Sequence, residues 1–222
     1  MKNIMGINLS PSVEKLLTEV ELGFAKQVRF QISNNPHAHA ECVVIDGEPI
    51  IGMKRGPNEY DIAHELCHLR CRLRGLPLTI TLHTSRDQEG TSYLCSQIHS
   101  TIEHLIIYPE LIELGLDPFK DVNNSILASG FHKDIAFSNN DDPASMVCLY
   151  IRAMLECNDP LLKKGVDDRF KKYARNERTL AKQIMRNIGR YDLTKKSDYI
   201  AALTETLRKF KLTEKDWSLE YC

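Results

Sequence analysis

Residues 64–68 read His-Glu-Leu-Cys-His, and the types and spacing of three of them define a particular chemistry. On an α-helix, His64 and His68 stand one turn apart on one face, so both imidazoles can reach a single ion. Glu65, beside the first histidine, is placed to act on a water held by that ion. Zinc lowers the pKa of such a water to about 7 and polarises a carbonyl, while the carboxylate takes the water's proton and hands it to a leaving amine. The expectation is therefore hydrolysis by a zinc-activated water, with Zn2+ on His64 and His68 and Glu65 as general base. A solvent-facing helix with two casual histidines is the alternative.

The flanking sequence supplies the elements that must hold these residues. Gly56-Pro57-Asn58 punctuates the chain before a helix expected over residues 59–74, closed by Gly75 and Pro77. Ile62, Ala63, Leu66, Leu69 and Leu73 give that helix an apolar stripe. Upstream, Ser10-Pro11 starts a helix over residues 11–26, with Val13, Leu16, Leu17, Val20 and Phe24 at helical spacing. Strands follow at 27–32, 40–45 and 49–53, the last two joined at Asp46-Gly47. Downstream come a strand at 78–82 and a helix over 92–107, with Leu94, Ile98, Ile102 and Leu105 on one stripe and Pro109 beyond its end. From Pro143 onward the pattern is helical, over about 143–157, 165–188 and 197–210, with breaks at Asn158-Asp159-Pro160 and Gly189.

The segment Tyr60-Asp61-Ile62-Ala63-His64-Glu65-Leu66-Cys67-His68-Leu69 resembles the active-site helix of zincin metallopeptidases, and looks most like that of the ImmA/IrrE-type cytosolic members. The likeness covers about residues 10–110. It implies an α+β fold in which a helix and a small sheet precede the motif, and a glutamate on a following helix that completes the zinc site. Zinc in catalytic sites takes three protein ligands and keeps a position open. Glu103, on the helix of residues 92–107 at a gluzincin-like separation, is the expected third ligand, with Ser96, His99 and Ser100 as polar neighbours on its face. His99 is the rival ligand, and His104, about 100° further round, suits a supporting or substrate-contacting role. A metzincin site is excluded, because Cys71 and Arg74 occupy the positions where that pattern needs Gly and His.

Other residues carry two readings each. Asp61 either orients an imidazole or answers the helix dipole from the first turn. His37, His39 and Glu41 lead into a strand to which an extended substrate could add, or form a plain turn and strand start. Tyr108 and His132 are possible donors to an oxyanion, or packing residues. Cys67 and Cys71 are thiols beside the histidine face, or small buried residues.

The composition is that of an ordinary globular chain, 222 residues with 42% hydrophobic and 27% charged. No segment has the form of a secretory signal or a membrane span, and seven cysteines without a CxxC framework fit free thiols. Both features predict a cytoplasmic protein. Two regions are expected: a zincin-like core over 1–115 and a mainly helical region over 116–222. Net charge is unevenly spread, at -8 for residues 1–160 and +7 for 161–222. Lys171, Arg175, Arg178, Lys182 and Arg186 form a basic stripe at helical spacing, a solvated face or a surface for an acidic partner. The second functional class is thus a zinc-stapled binding or regulatory module that contacts nucleic acid or a protein. A hydrolase of a non-peptide bond is a third, since the same ligands would serve it.

Overall fold

A computed structural model describes residues 2–33, 40–54, 56–83, 88–138 and 141–221, with no side-chain description for 88–90. The described residues form a mixed α+β fold of eight helices and small sheets. They divide into two compact units. One comprises Met1–Leu78, Ile107–Asp117 and Glu220–Cys222; the other comprises Thr79–Ile106 and Pro118–Leu219. Among the described residues, no helix is long and apolar enough to cross a membrane.

The first unit opens with a two-residue hairpin, β1 (Asn3–Ile4) and β2 (Ile7–Asn8), that has no signal in the hydropathy pattern. Helix α1 (Pro11–Phe24) starts as its sequence predicts: the Ser10 hydroxyl accepts from the Val13 amide, and Pro11 occupies the first helical position. It ends where Ala25 turns left-handed, at φ 50°. A three-stranded sheet follows, with β5 (Glu48–Met53) between β3 (Arg29–Ile32), which runs parallel to it, and β4 (Ala40–Ile45), which runs antiparallel. Asp46 and Gly47 both have positive φ, 51° and 71°, the backbone a two-residue hairpin requires. The central strand buries Ile50, Ile51 and Met53.

Helix α2 (Glu59–Leu73) carries residues 64–68 and packs against α1, β4 and β5. Ile62, Ala63, Leu66 and Leu69 are fully buried, as their spacing predicts, each large side chain contributing about 1.5–3 kcal/mol. Leu73 departs from the stripe and is 38% exposed, because it sits at the helix end. The face bearing the two histidines is thereby fixed by the burial of the opposite face. The last turns of helix α3 (Gln88–Glu113) also belong to this unit, and Glu110 there binds Arg70 at 2.5 Å and Arg74 at 2.6 Å.

Helix α3 is longer at both ends than its sequence suggests, and Pro109 lies inside it. Proline removes one backbone bond, to the Leu105 carbonyl, but an otherwise buried helix tolerates that loss. The second unit holds the first part of α3, strand β6 (Thr79–Leu82), and helices α4 (Lys120–Ser129), α5 (Pro143–Glu156), α6 (Pro160–Tyr173), α7 (Arg175–Ile188) and α8 (Lys196–Lys209). Strand β6 pairs with β7 (Trp217–Glu220), a strand of sequence origin too short to signal itself. Helices α5 and α6 repeat the start used by α1: Asp142 and Asp159 accept from amides of the first turn, each ahead of a proline.

The helix expected over 165–188 is two helices, broken at Ala174 (φ -146°, ψ 57°). No glycine or proline marks that break. It is secured across the bend by Asp167, which accepts two bonds from Arg178, at 2.7 and 2.8 Å, and lies 3.0 Å from Lys182. Tyr150 donates its hydroxyl to the same carboxylate. The basic stripe is therefore partly internal: Arg178 and Lys182 both pair with the one carboxylate of Asp167, and Arg175 donates to the Lys171 carbonyl.

The Arg178 guanidinium, offsetting the burial penalty together with Tyr150 and Lys182, holds the Asp167 carboxyl far below the usual carboxylate range. A depressed folded-state pKa means stability that is present above the unfolded value of about 3.9 and lost as pH falls through the folded one. Asp167→Asn is expected to cost about 1–3 kcal/mol near neutral pH. In urea titrations the difference from wild type should shrink as the pH is taken below about 4; a pH-independent difference would contradict the assignment.

Candidate metal centre

The helix bearing residues 64–68 begins at a double cap. The Asn58 side chain accepts from the Asp61 amide, and the Asp61 carboxylate accepts from the Asn58 amide, both at 3.0 Å. Asp61 is thus engaged with the backbone at the helix start, in line with its position in the first turn. The imidazole of His64 is oriented instead by Tyr60, whose hydroxyl lies 3.3 Å from Nδ1. Tyr60 precedes His64 by four residues, the same one-turn spacing that relates His64 to His68.

With Nδ1 taken up by Tyr60, Nε2 is the nitrogen of His64 that remains for other work. It faces Nε2 of His68 at 3.0 Å, the rings meeting edge to face with centroids 4.8 Å apart. Both histidines are half-buried. Two nitrogens on one tetrahedral zinc at 2.0–2.1 Å stand about 3.3 Å apart. The pair is therefore within a few tenths of an ångström of the spacing that such an ion requires, and imidazole is a donor type that zinc takes. The two side chains could hold a metal ion.

Glu65 follows His64 on the same helix and is 7% exposed. Cys67 is fully buried, and burial, assisted by Glu110, pushes its thiol up to about 12. That burial fits the reading of Cys67 as a small packing residue. Cys71 is likewise buried.

In the second unit, α3 gathers an unusual number of buried polar side chains: His99, Thr101, Glu103 and His104. Glu103 is 1% exposed, with an oxygen 4.0 Å from Nδ1 of His99. The His99 ring stands edge-on to Tyr199, centroids 6.1 Å apart, and the Tyr199 hydroxyl reaches the His99 carbonyl at 3.5 Å. Nδ1 of His104 lies 3.3 Å from the carboxylate of Glu156, on α5. Glu156 is 1% exposed and also accepts from Arg152 at 2.9 Å. Burial alone would push its carboxyl up, but His104 and Arg152 more than offset that and hold it at about 2.

The remaining expected residues fall elsewhere. His132 packs against Gly165 and places Nδ1 3.2 Å from the Ile126 carbonyl, a structural role within the second unit. A Cβ on Gly165 would come within 2.6 Å of the His132 carbonyl oxygen, so only glycine allows this approach. Tyr108 is buried on α3. Glu41 lies on β4 and accepts from the Ser33 hydroxyl, whereas His37 and His39 lie outside the described residues. No family model, curated protein or solved structure matches this chain. The chemistry of the site therefore rests on its own residues.

Two residues escaped the sequence reading. Tyr60 could have been found from its one-turn spacing to His64. Glu156 had a fainter signal, as the one acidic residue in α5, a helix otherwise rich in apolar side chains.

Proposed function

We propose that this protein is a zinc-dependent peptidase in which His64 and His68 hold the ion and Glu65 is the general base. The observation that carries the reading is the convergence of the two Nε2 atoms at 3.0 Å on one turn of α2, next to a buried glutamate. Bound zinc supplies Lewis acidity, which lowers the pKa of a water to about 7 and polarises a carbonyl. Tyr60 sets the ring of His64, so that its Nε2 points toward the ion's place rather than away from it. Glu65 takes the proton of the attacking water on a carboxylate oxygen and passes it to the departing amine nitrogen. The peptide substrate is inferred from the likeness of residues 60–69 to zincin helices.

The third protein ligand, in this reading, comes from the turn of α3 that carries Glu103 and His104. The likeness to gluzincins favours Glu103. His104 is the other metal-ligating type on that turn, buried with its Nδ1 3.3 Å from the Glu156 carboxylate. We take Glu103 as the ligand on that likeness, with His104 as the histidine to test against it. Among the described residues, Cys67, Cys95, Cys148 and Cys157 are free thiols, which supports a reducing compartment as the place of action.

Metal analysis of the purified chain tests the reading. One zinc per chain is expected for wild type, with loss of most of it in His64→Ala. Retention of zinc by Glu103→Gln and its loss from His104→Ala would assign the third position to the histidine. A wild-type protein that takes up no zinc from a buffered solution would overturn the proposal.

A further inference from the structure

The basic stripe of α6 and α7 has no part in the chemistry set out above. Of its five cations, Arg178 and Lys182 share the Asp167 carboxylate. Among the described residues, Arg175 and Arg186 bond only backbone carbonyls, those of Lys171 and Lys182. The other carboxylates of the two helices lie off the stripe: Asp168 pairs with Lys164, and Glu177, nine residues from Arg186, falls on the opposite side of α7. Five cations against one carboxylate leave the stripe with a charge of +4. Arg175, Lys182 and Arg186 stand at intervals of seven and four residues, so they line up along one side of α7 over roughly 16 Å. Beside the last two opens a groove of about 640 Å³, lined by Leu155 of α5 and by Lys182, Met185 and Arg186 of α7, all of the second unit. Leu155 and Met185 are half-buried, and Arg186 is exposed.

We propose that this groove and the cations beside it are a docking site for an acidic amphipathic helix of a protein partner. Cations in line on one side of α7 match carboxylates that a facing helix presents at the same spacing, and arginine takes a carboxylate with two parallel bonds. The apolar floor decides against nucleic acid as the occupant. A phosphate backbone has nothing to bury on Leu155 and Met185, and no aromatic ring lines the groove for a base to stack on. A leucine of the partner, set between its carboxylates, fills that floor, and the unbranched Met185 adapts to it. A lipid surface is a poor fit as well, because the apolar face of α7, Ala181, Ile184 and Ile188, is already buried in the fold. The inference does not depend on zinc at His64 and His68.

Fluorescence anisotropy of labelled probes, titrated with the full chain, tests the site. The probe is a synthetic helix-forming peptide with glutamates seven and four residues apart and leucines between them on the same face. Its controls carry glutamine for glutamate or serine for leucine, and a mixed-sequence single-stranded RNA stands for nucleic acid. The acidic peptide is expected to bind, more weakly as salt is raised, because exposed charges are screened over about 8 Å at physiological ionic strength. Both peptide controls should bind about 5-fold more weakly or worse. Arg186→Glu and Met185→Ser should each weaken the acidic peptide by about 5- to 10-fold. Lysine in place of the facing glutamate should restore the loss in Arg186→Glu. No binding of the acidic peptide overturns the proposal. So does equal binding of the glutamine control, tighter binding of the RNA, or binding that neither variant changes. If Met185→Ser fails to fold, Arg175→Glu, at the exposed far end of the line, takes its place and should weaken binding as Arg186→Glu does.

Discussion

Glu65→Gln is expected to keep its zinc and lose peptide hydrolysis by about 10²- to 10⁴-fold, the range over which a general base accelerates proton transfer. Glutamine has the shape of glutamate but cannot accept and return a proton, so the ligand histidines and the packing of α2 are left intact. Glu65 is 7% exposed, which leaves little room for bulk water to stand in for it. The measurement is zinc content alongside single-turnover cleavage of a mixed peptide library by wild type and variant. Unchanged cleavage with zinc bound would take the catalytic role from Glu65. Zinc lost together with activity would mean that the side chain supports the metal site rather than the proton transfer.

Phe170→Ala is expected to have the largest effect on stability, about 3–5 kcal/mol, lowering the midpoint of chemical unfolding of the second unit. Phe170 is fully buried, and its ring meets those of Phe137, Tyr150 and Phe131 at centroid distances of 4.8 to 5.6 Å. These are edge-to-face contacts, each adding to the burial of apolar area. The guanidinium of Arg169 lies 4.1 Å from the centre of the Phe137 ring, so removal of Phe170 also loosens the platform for that cation. Phe170→Leu, which refills most of the volume, should cost much less. Equal losses from the two variants would show that the cluster is not closely packed.

Residues whose roles are local were legible in the chain itself. The starts of α1, α5 and α6 follow from a Ser or Asp ahead of a proline, because an N-cap oxygen and a proline without an amide satisfy the first turn on their own. Asp46-Gly47 announces the β4–β5 hairpin, since two residues with positive φ are cheap only for such side chains. The His64–His68 convergence belongs to the same class: a four-residue spacing on a helix brings the rings together whatever surrounds them.

What depended on distant partners was not legible. The break at Ala174 is secured by Asp167 bonding Arg178 across it, and neither residue carries a helix-ending signal. Helix α3 runs through Pro109 because burial on both sides of that residue outweighs one missing backbone bond. The strand and helix of residues 79–106 group with the C-terminal helices rather than with the sheet that precedes them, a matter of which apolar surfaces meet. The carboxylate behind His104 comes from a residue 52 positions later.

The sequence by itself determined that two histidines and a glutamate share one turn of a helix, with an apolar stripe that turns the helix the right way. Periodicity and hydrophobicity are properties of a short segment, and a short segment can display them. Only the tertiary structure decided that Tyr60 meets the ring of His64, that the Cys67 thiol is buried beside Glu110, and that Glu156 lies next to His104. Hydrogen bonds and desolvation depend on distances between atoms that the chain order does not record.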